Sequence, residues 1–144
     1  MGTRLAFWCK NGAFRSNAVR QYQRALAQER MTRDEVESLN WKKRIALVRH
    51  AYEKCPFYRE FYDKEDFSPA DLKTTDDWEL VPILEKEHLA TRADDILARG
   101  VPSVSLIQTT TGGSTGVPVK TFRDKRFPEE VLKWRMLKRW GVSP

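Results

Sequence analysis

Three glycines within five residues, flanked by hydroxyl side chains, constrain this chain more than any other feature. The segment runs Thr109-Thr110-Thr111-Gly112-Gly113-Ser114-Thr115-Gly116-Val117-Pro118. Glycine populates backbone angles closed to other residues and weakens a helix interior, so Gly112, Gly113 and Gly116 predict a tight loop. Branched residues lie on both sides. Val104 to Thr109 reads as one strand and Val117 to Phe122 as a second, with Pro118 near its start, where a missing donor is tolerated. The pattern predicts strand, loop, strand.

Such a loop has one chemical aptitude that its composition makes plain. Backbone amides freed by glycine can converge into an anion-binding concavity. Thr111, Ser114 and Thr115 add hydroxyl donors, and Lys120 brings a cation close by. Each charge-assisted hydrogen bond to phosphate contributes roughly 1.5–3 kcal/mol. The order Gly-x-x-x-x-Gly-Lys-Ser/Thr is missing, so this is no Walker A loop, and no Gly-x-Gly-x-x-Gly opens a helix. From these residues alone, a polar hairpin connection stands beside the phosphate cradle, and Lys120 also reads as an ordinary strand lysine facing solvent.

Upstream, the apolar spacing is helical. Val19, Tyr22, Leu26 and Ala27 mark a stripe over residues 17–28. Thr32 and Glu35 match a capping box. Val36, Leu39, Ile45, Leu47, Val48, Ala51 and Tyr52 then suit one long helix or two meeting near Asn40-Trp41. Pro56 should end it. Phe57, Tyr58, Phe61 and Tyr62 fall on a short helix and read as core. Ser68-Pro69 with Asp71, and Thr75 before Asp76, mark further helix starts. Trp78, Leu80, Val81, Ile83 and Leu84 should seat the following segment on a core. Brief helices are expected near residues 85–89 and 94–97, broken by Gly100 and Pro102. Pro128 opens a last amphipathic helix with Val131, Trp134, Leu137 and Trp140 on its apolar face and Gly141 as its cap.

Composition narrows the classes. In 144 residues, 40% are hydrophobic and five are Trp, which argues against disorder throughout. The formal net charge is +6, with basic density at Lys42, Lys43 and Arg44 and again at Arg135, Lys138 and Arg139. That permits contact with an anionic surface and demands none. Cys9 and Cys55 make no disulfide framework, and Cys55 reads as a buried structural thiol. His50 and His88 lack ligand spacing to the cysteines, so no metal site is expected. His50 reads as a helix-face histidine. The patch Leu5 to Cys9 is too short for a signal sequence or a membrane span, and a cytoplasmic location follows.

Three segments in order resemble one family. Thr111 to Pro118 is similar to the phosphate-binding motif of adenylate-forming enzymes. His50-Ala51-Tyr52-Glu53-Lys54-Cys55-Pro56-Phe57-Tyr58-Arg59 and Leu80-Val81-Pro82-Ile83-Leu84-Glu85-Lys86 resemble segments that precede it in the phenylacetate-CoA ligase-like group, which includes capsular polysaccharide biosynthesis (CapK) proteins. Many acyl-CoA synthetases carry Ser-Gly-Thr-Thr-Gly where this chain has Gly112-Gly113-Ser114-Thr115-Gly116, which leans toward the CapK-like branch.

The resemblance implies an α/β fold: an N-terminal helical region, residues 1–100, leading into the first strands of an adenylate-forming large domain at 101–144, with the rest of that domain and a C-terminal domain lying beyond. It implies ATP-dependent activation of a carboxylic acid, aryl or acyl, through an acyl-adenylate, with Mg2+ bridging the phosphates and CoA as the acceptor thiol. Thr110, Thr111, Gly112, Gly113, Ser114, Thr115, Gly116 and Lys120 would bind the nucleotide. No catalytic residue is assigned. This fragment alone is expected to be inactive, and the full protein is a candidate homodimer. The alternatives are a degenerate nucleotide-binding or structural member of the family, and a basic helical protein that binds nucleic acid nonspecifically or serves as an adaptor.

Overall fold

The computed structural model describes residues 16–111, 118–126 and 129–142. The element order is α1 (Ser16–Gln28), α2 (Arg33–Lys54), α3 (Pro56–Lys64), single turns at Pro69–Asp71 and Asp76–Leu80, α4 (Lys86–Thr91), α5 (Ala93–Ile96), a turn at Ser103–Ser105, β1 (Leu106–Thr110), β2 (Lys120–Asp124) and α6 (Glu130–Arg139). The architecture is mixed α/β with an open two-stranded sheet. By packing, the chain divides into two compact units. One comprises residues up to 36 together with those from 126 onward, and the other spans 37–125.

In the first unit α1 packs on α6. Ala18 and Tyr22 bury against Val131 and Trp134. The Tyr22 and Trp134 rings meet edge to face, with centroids 5.7 Å apart. That geometry adds about 0.5–1.5 kcal/mol to simple area burial. Arg135 Nε reaches Glu29 Oε1 at 3.1 Å, and Asn17 Nδ2 donates to the Arg126 carbonyl. At the end of α6, Gly141 adopts φ +77°. Its amide bonds the Lys138 carbonyl, and the Val142 amide bonds that of Leu137. These bonds satisfy two carbonyls that the helix end leaves without partners. Val131 and Trp134 are buried as expected, but Trp140 is 70% exposed. Its position past the last helical turn carries it off the face that meets α1. Pro128, expected to open the helix, lies outside the described residues.

The second unit holds most of the core. Val48, Tyr62, Phe67 and Leu72 are buried together, with Trp41, Ile45, Tyr52, Phe61, Trp78 and Val81 packed around them. The capping box at the start of α2, whose Thr32 and Glu35 fall in the first unit, forms in full. The Thr32 amide donates to Glu35 Oε2 at 2.8 Å, and the Glu35 amide donates to Thr32 Oγ1. From there α2 runs unbroken past Asn40-Trp41 to Lys54. Pro56 ends it and occupies the first turn of α3, where a missing N–H costs nothing. Burial pushes the Tyr62 phenol up to about 12.

Several expectations for this unit are corrected. Val104 lies in the turn Ser103–Ser105, where Ser105 Oγ donates to the Pro102 carbonyl, and β1 begins only at Leu106. The second strand begins at Lys120. Thr75 makes no side-chain cap; Asp77 gathers the Lys73 and Thr74 amides at 2.8 and 2.6 Å. Its carboxyl falls below the usual range chiefly through the Thr74 amide bond. Trp78 and Val81 seat the segment, whereas Leu80 and Ile83 face outward, Ile83 being 81% exposed. Trp78 and Leu80 both lie in the single turn Asp76–Leu80, whose successive side chains point in three directions, so only some of the apolar residues can face the core. Leu47 on α2 is also exposed.

Candidate phosphate loop and the groove beside it

The glycine segment connects β1 to β2. These strands pair antiparallel, with Thr110 opposite Lys120 and Leu106 opposite Asp124. Two paired strands therefore flank the segment, as expected. Residues 112–117, which include Gly112, Gly113, Ser114, Thr115 and Gly116, lie outside the described residues. What can be placed is the base from which they spring.

Thr111 and Val119 close that base. The Thr111 amide donates to the Val119 carbonyl at 3.0 Å. The Val119 amide donates to Thr111 Oγ1 at 3.1 Å. A hydroxyl that accepts one bond keeps its own proton to donate. Two residue pairs below, Thr109 and Thr121 share a hydroxyl bond of 2.8 Å. Thr110 is exposed on the side that carries Lys120.

Lys120 is paired with a carboxylate. Its ammonium lies 2.6 Å from Asp94 Oδ1 at the start of α5 and 4.9 Å from the centre of the Phe122 ring. Its charge is already engaged. Reaching a phosphate would require leaving Asp94, a partly exposed pair of modest strength.

The burial of β2 alternates, with Lys120, Phe122 and Asp124 more covered than Thr121 and Arg123. The covered side borders an apolar groove of about 560 Å3. Ala51, Tyr58, Trp78, Leu89, Ile96 and Phe122 are among its walls. Val119 and Lys120 belong to it as well, so the base of the glycine loop and the groove are contiguous. His50, exposed on α2, and buried Cys55 also border it. Cys55 is 7% exposed and burial pushes its thiol up, the opposite of an activated nucleophile.

A charged cluster that sequence reasoning missed joins α3 to the α4–α5 junction. Arg92 bonds Glu60 Oε2 and Asp95 Oδ2, each at 2.8 Å. Its guanidinium stands 5.5 Å from the Phe57 ring centre. The Glu60 carboxyl is lowered by the Arg92 hydrogen bond first and its charge second. No local spacing signals this cluster, because Glu60 and Arg92 are 32 positions apart.

The basic residues noted in the sequence are partly committed. Arg44 stacks 5.0 Å from the Trp78 ring centre, and Arg135 pairs with Glu29. Among the described residues no group of three His, Cys, Asp or Glu side chains is placed to hold a metal ion. Among the same residues no helix is long and apolar enough to cross a membrane. No protein-family model matches the chain, and no curated protein is significantly similar to it.

Proposed function

We propose that this chain is the N-terminal part of an ATP-dependent carboxylate-activating ligase of the phenylacetate-CoA ligase-like group. In this reading the loop of residues 109–118 holds the phosphates of ATP while an aryl or acyl carboxylate attacks the α phosphorus. An acyl-adenylate and pyrophosphate form, and a thiol, CoA in the ligase members, then displaces AMP.

One observation carries the reading. The three resembling segments occupy distinct elements of a single compact unit: His50 to Arg59 spans the α2–α3 junction, Leu80 to Lys86 leads into α4, and the glycine segment joins β1 to β2. Backbone amides and the hydroxyls of Thr110, Thr111, Ser114 and Thr115 would stabilise charge on the phosphates without proton transfer. The hairpin base, closed by Thr111 and Val119, limits the freedom lost when the loop wraps an anion. Mg2+, when bound with the nucleotide, neutralises phosphate charge. The described residues supply no group of three His, Cys, Asp or Glu side chains to hold it.

The test is carboxylate-dependent ATP–pyrophosphate exchange by the product of the longest reading frame that contains this chain, assayed with a panel of aryl and acyl acids. Ser114→Ala and Thr115→Ala should each lower exchange about 10- to 100-fold, the loss of one charge-assisted hydrogen bond. Unchanged exchange and nucleotide affinity in a folded double variant would remove the loop from the mechanism.

A further inference from the structure

The start of α4 is capped by a titratable group. A capping box ordinarily places Glu or Gln at the third helical position, where the side chain accepts the amide proton of the N-cap residue. Here that position is His88. Its Nδ1 accepts the Glu85 amide at 3.2 Å. Glutamate holds its acceptor down to acidic pH, but an imidazole that takes up a second proton has none left. Histidine makes that change between pH 5 and 8.

The ring is fixed where this matters. Its centroid lies 5.6 Å from that of Phe57 and 5.1 Å from that of Phe61, both on α3. The charged groups on the elements around it are Glu85, Lys86 and Glu87 on its own segment, Arg59, Glu60, Asp63 and Lys64 on α3, and Arg92, Asp94 and Asp95 at the α5 junction. Glu60 and Asp95 are both engaged by Arg92, and Asp94 by Lys120. The helix it caps has only six residues, so its first turn is a large share of its hydrogen bonding. Leu84 just before it and Leu89 within it are walls of the apolar groove.

We infer that His88 is a pH-sensitive cap: its neutral ring holds the first turn of α4 closed, and its protonation releases the Glu85 amide and loosens that wall of the groove. The neutral ring must carry its proton on Nε2, because Nδ1 is the acceptor. Both nitrogens carry protons in the charged ring, and two N–H groups then face each other.

NMR of the isotopically labelled 144-residue chain between pH 8 and pH 5 tests this, with His50 as an internal comparison. The expected result has three parts. The neutral His88 ring is the Nε2–H tautomer. The Glu85 amide shift follows the His88 ring titration. The helical carbon shifts of Lys86 to Leu89 decline over the same range, with opening of the turn rising about fivefold, the usual worth of one cap. His88→Gln, which keeps an acceptor and cannot titrate, should hold the turn across the whole range. His88→Ala should lack the bond to the Glu85 amide at every pH, while the reciprocal bond from the residue-88 amide to the Glu85 side chain remains. An Nδ1–H tautomer in the neutral ring would overturn the inference. So would a Glu85 amide that ignores the ring titration, or the same acid-induced loss in His88→Gln.

Discussion

Tyr62 and Phe67 meet edge to face with ring centroids 4.9 Å apart, across the turn that ends α3. The Phe67 amide bonds the Tyr62 carbonyl at 2.9 Å, and the Asp66 amide bonds that of Asp63. Asp66 makes this possible by adopting φ +52°, the left-handed region that L side chains disfavour. Two buried rings and one strained residue thus form a single device that turns the chain from α3 back onto the core.

Asp66→Gly should therefore stabilise the protein by about 0.5–1 kcal/mol, since glycine enters that region without a Cβ penalty. Phe67→Ala should cost about 3–5 kcal/mol through the lost ring and the cavity it leaves. Urea denaturation followed by tryptophan fluorescence measures both. A neutral or destabilising Asp66→Gly would mean that the aspartate side chain contributes more than its backbone costs.

Alkaline pH should unfold the second unit earlier than its exposed tyrosines would suggest. Burial raises the Tyr62 phenol to about 12, against about 10 in an unfolded chain. A raised folded value means that the stability contribution is intact below pH 10 and is lost as pH climbs toward 12. Tyr62→Phe removes this titration, so the fall in denaturation midpoint between pH 10 and pH 12 should be shallower in the variant. Parallel slopes would place the titrating group elsewhere.

Acid should act on the turn before Trp78. The Asp77 carboxyl is lowered, first by the Thr74 amide and then by that of Lys73. A lowered folded value means that the contribution is present above the ordinary carboxylate range and lost as pH falls through the folded value. Asp77→Asn should lower the melting temperature at pH 7 and narrow its difference from the parent near pH 2. A constant difference across that range would assign the effect to shape rather than charge.

Cys55 should react slowly with an aromatic disulfide reagent. Its sulfur is buried and burial pushes the thiol up, so little thiolate is available. In a Cys9→Ser background, labelling at pH 8 should be slow and rise sharply in denaturant. Rapid labelling under native conditions would show that the groove opens to the reagent.

Thr111→Val should loosen the hairpin by removing the hydroxyl that accepts the Val119 amide. Thr111→Ser should keep it closed. Faster amide exchange at Val119 in the valine variant alone would establish the hydroxyl as the latch; equal rates in both variants would refute it.

Local chemistry was legible from sequence wherever partners are close along the chain. The Thr32–Glu35 box, the break at Pro56, the box at Ser68 and Asp71, the Gly141 cap and the hairpin around the glycines all arise from bonds spanning a few residues. The proposed phosphate site was legible only as composition and order, because glycine content reports freedom rather than final geometry. Distant pairings set the rest. Arg92 chose Glu60, Lys120 chose Asp94, and His88 came to rest against Phe57 and Phe61. Which apolar residues were buried was likewise settled by what packed against them: Trp78 turned inward while Ile83 and Trp140 stayed out. Periodicity identifies an apolar face, but burial needs a second surface, and tertiary packing supplies it.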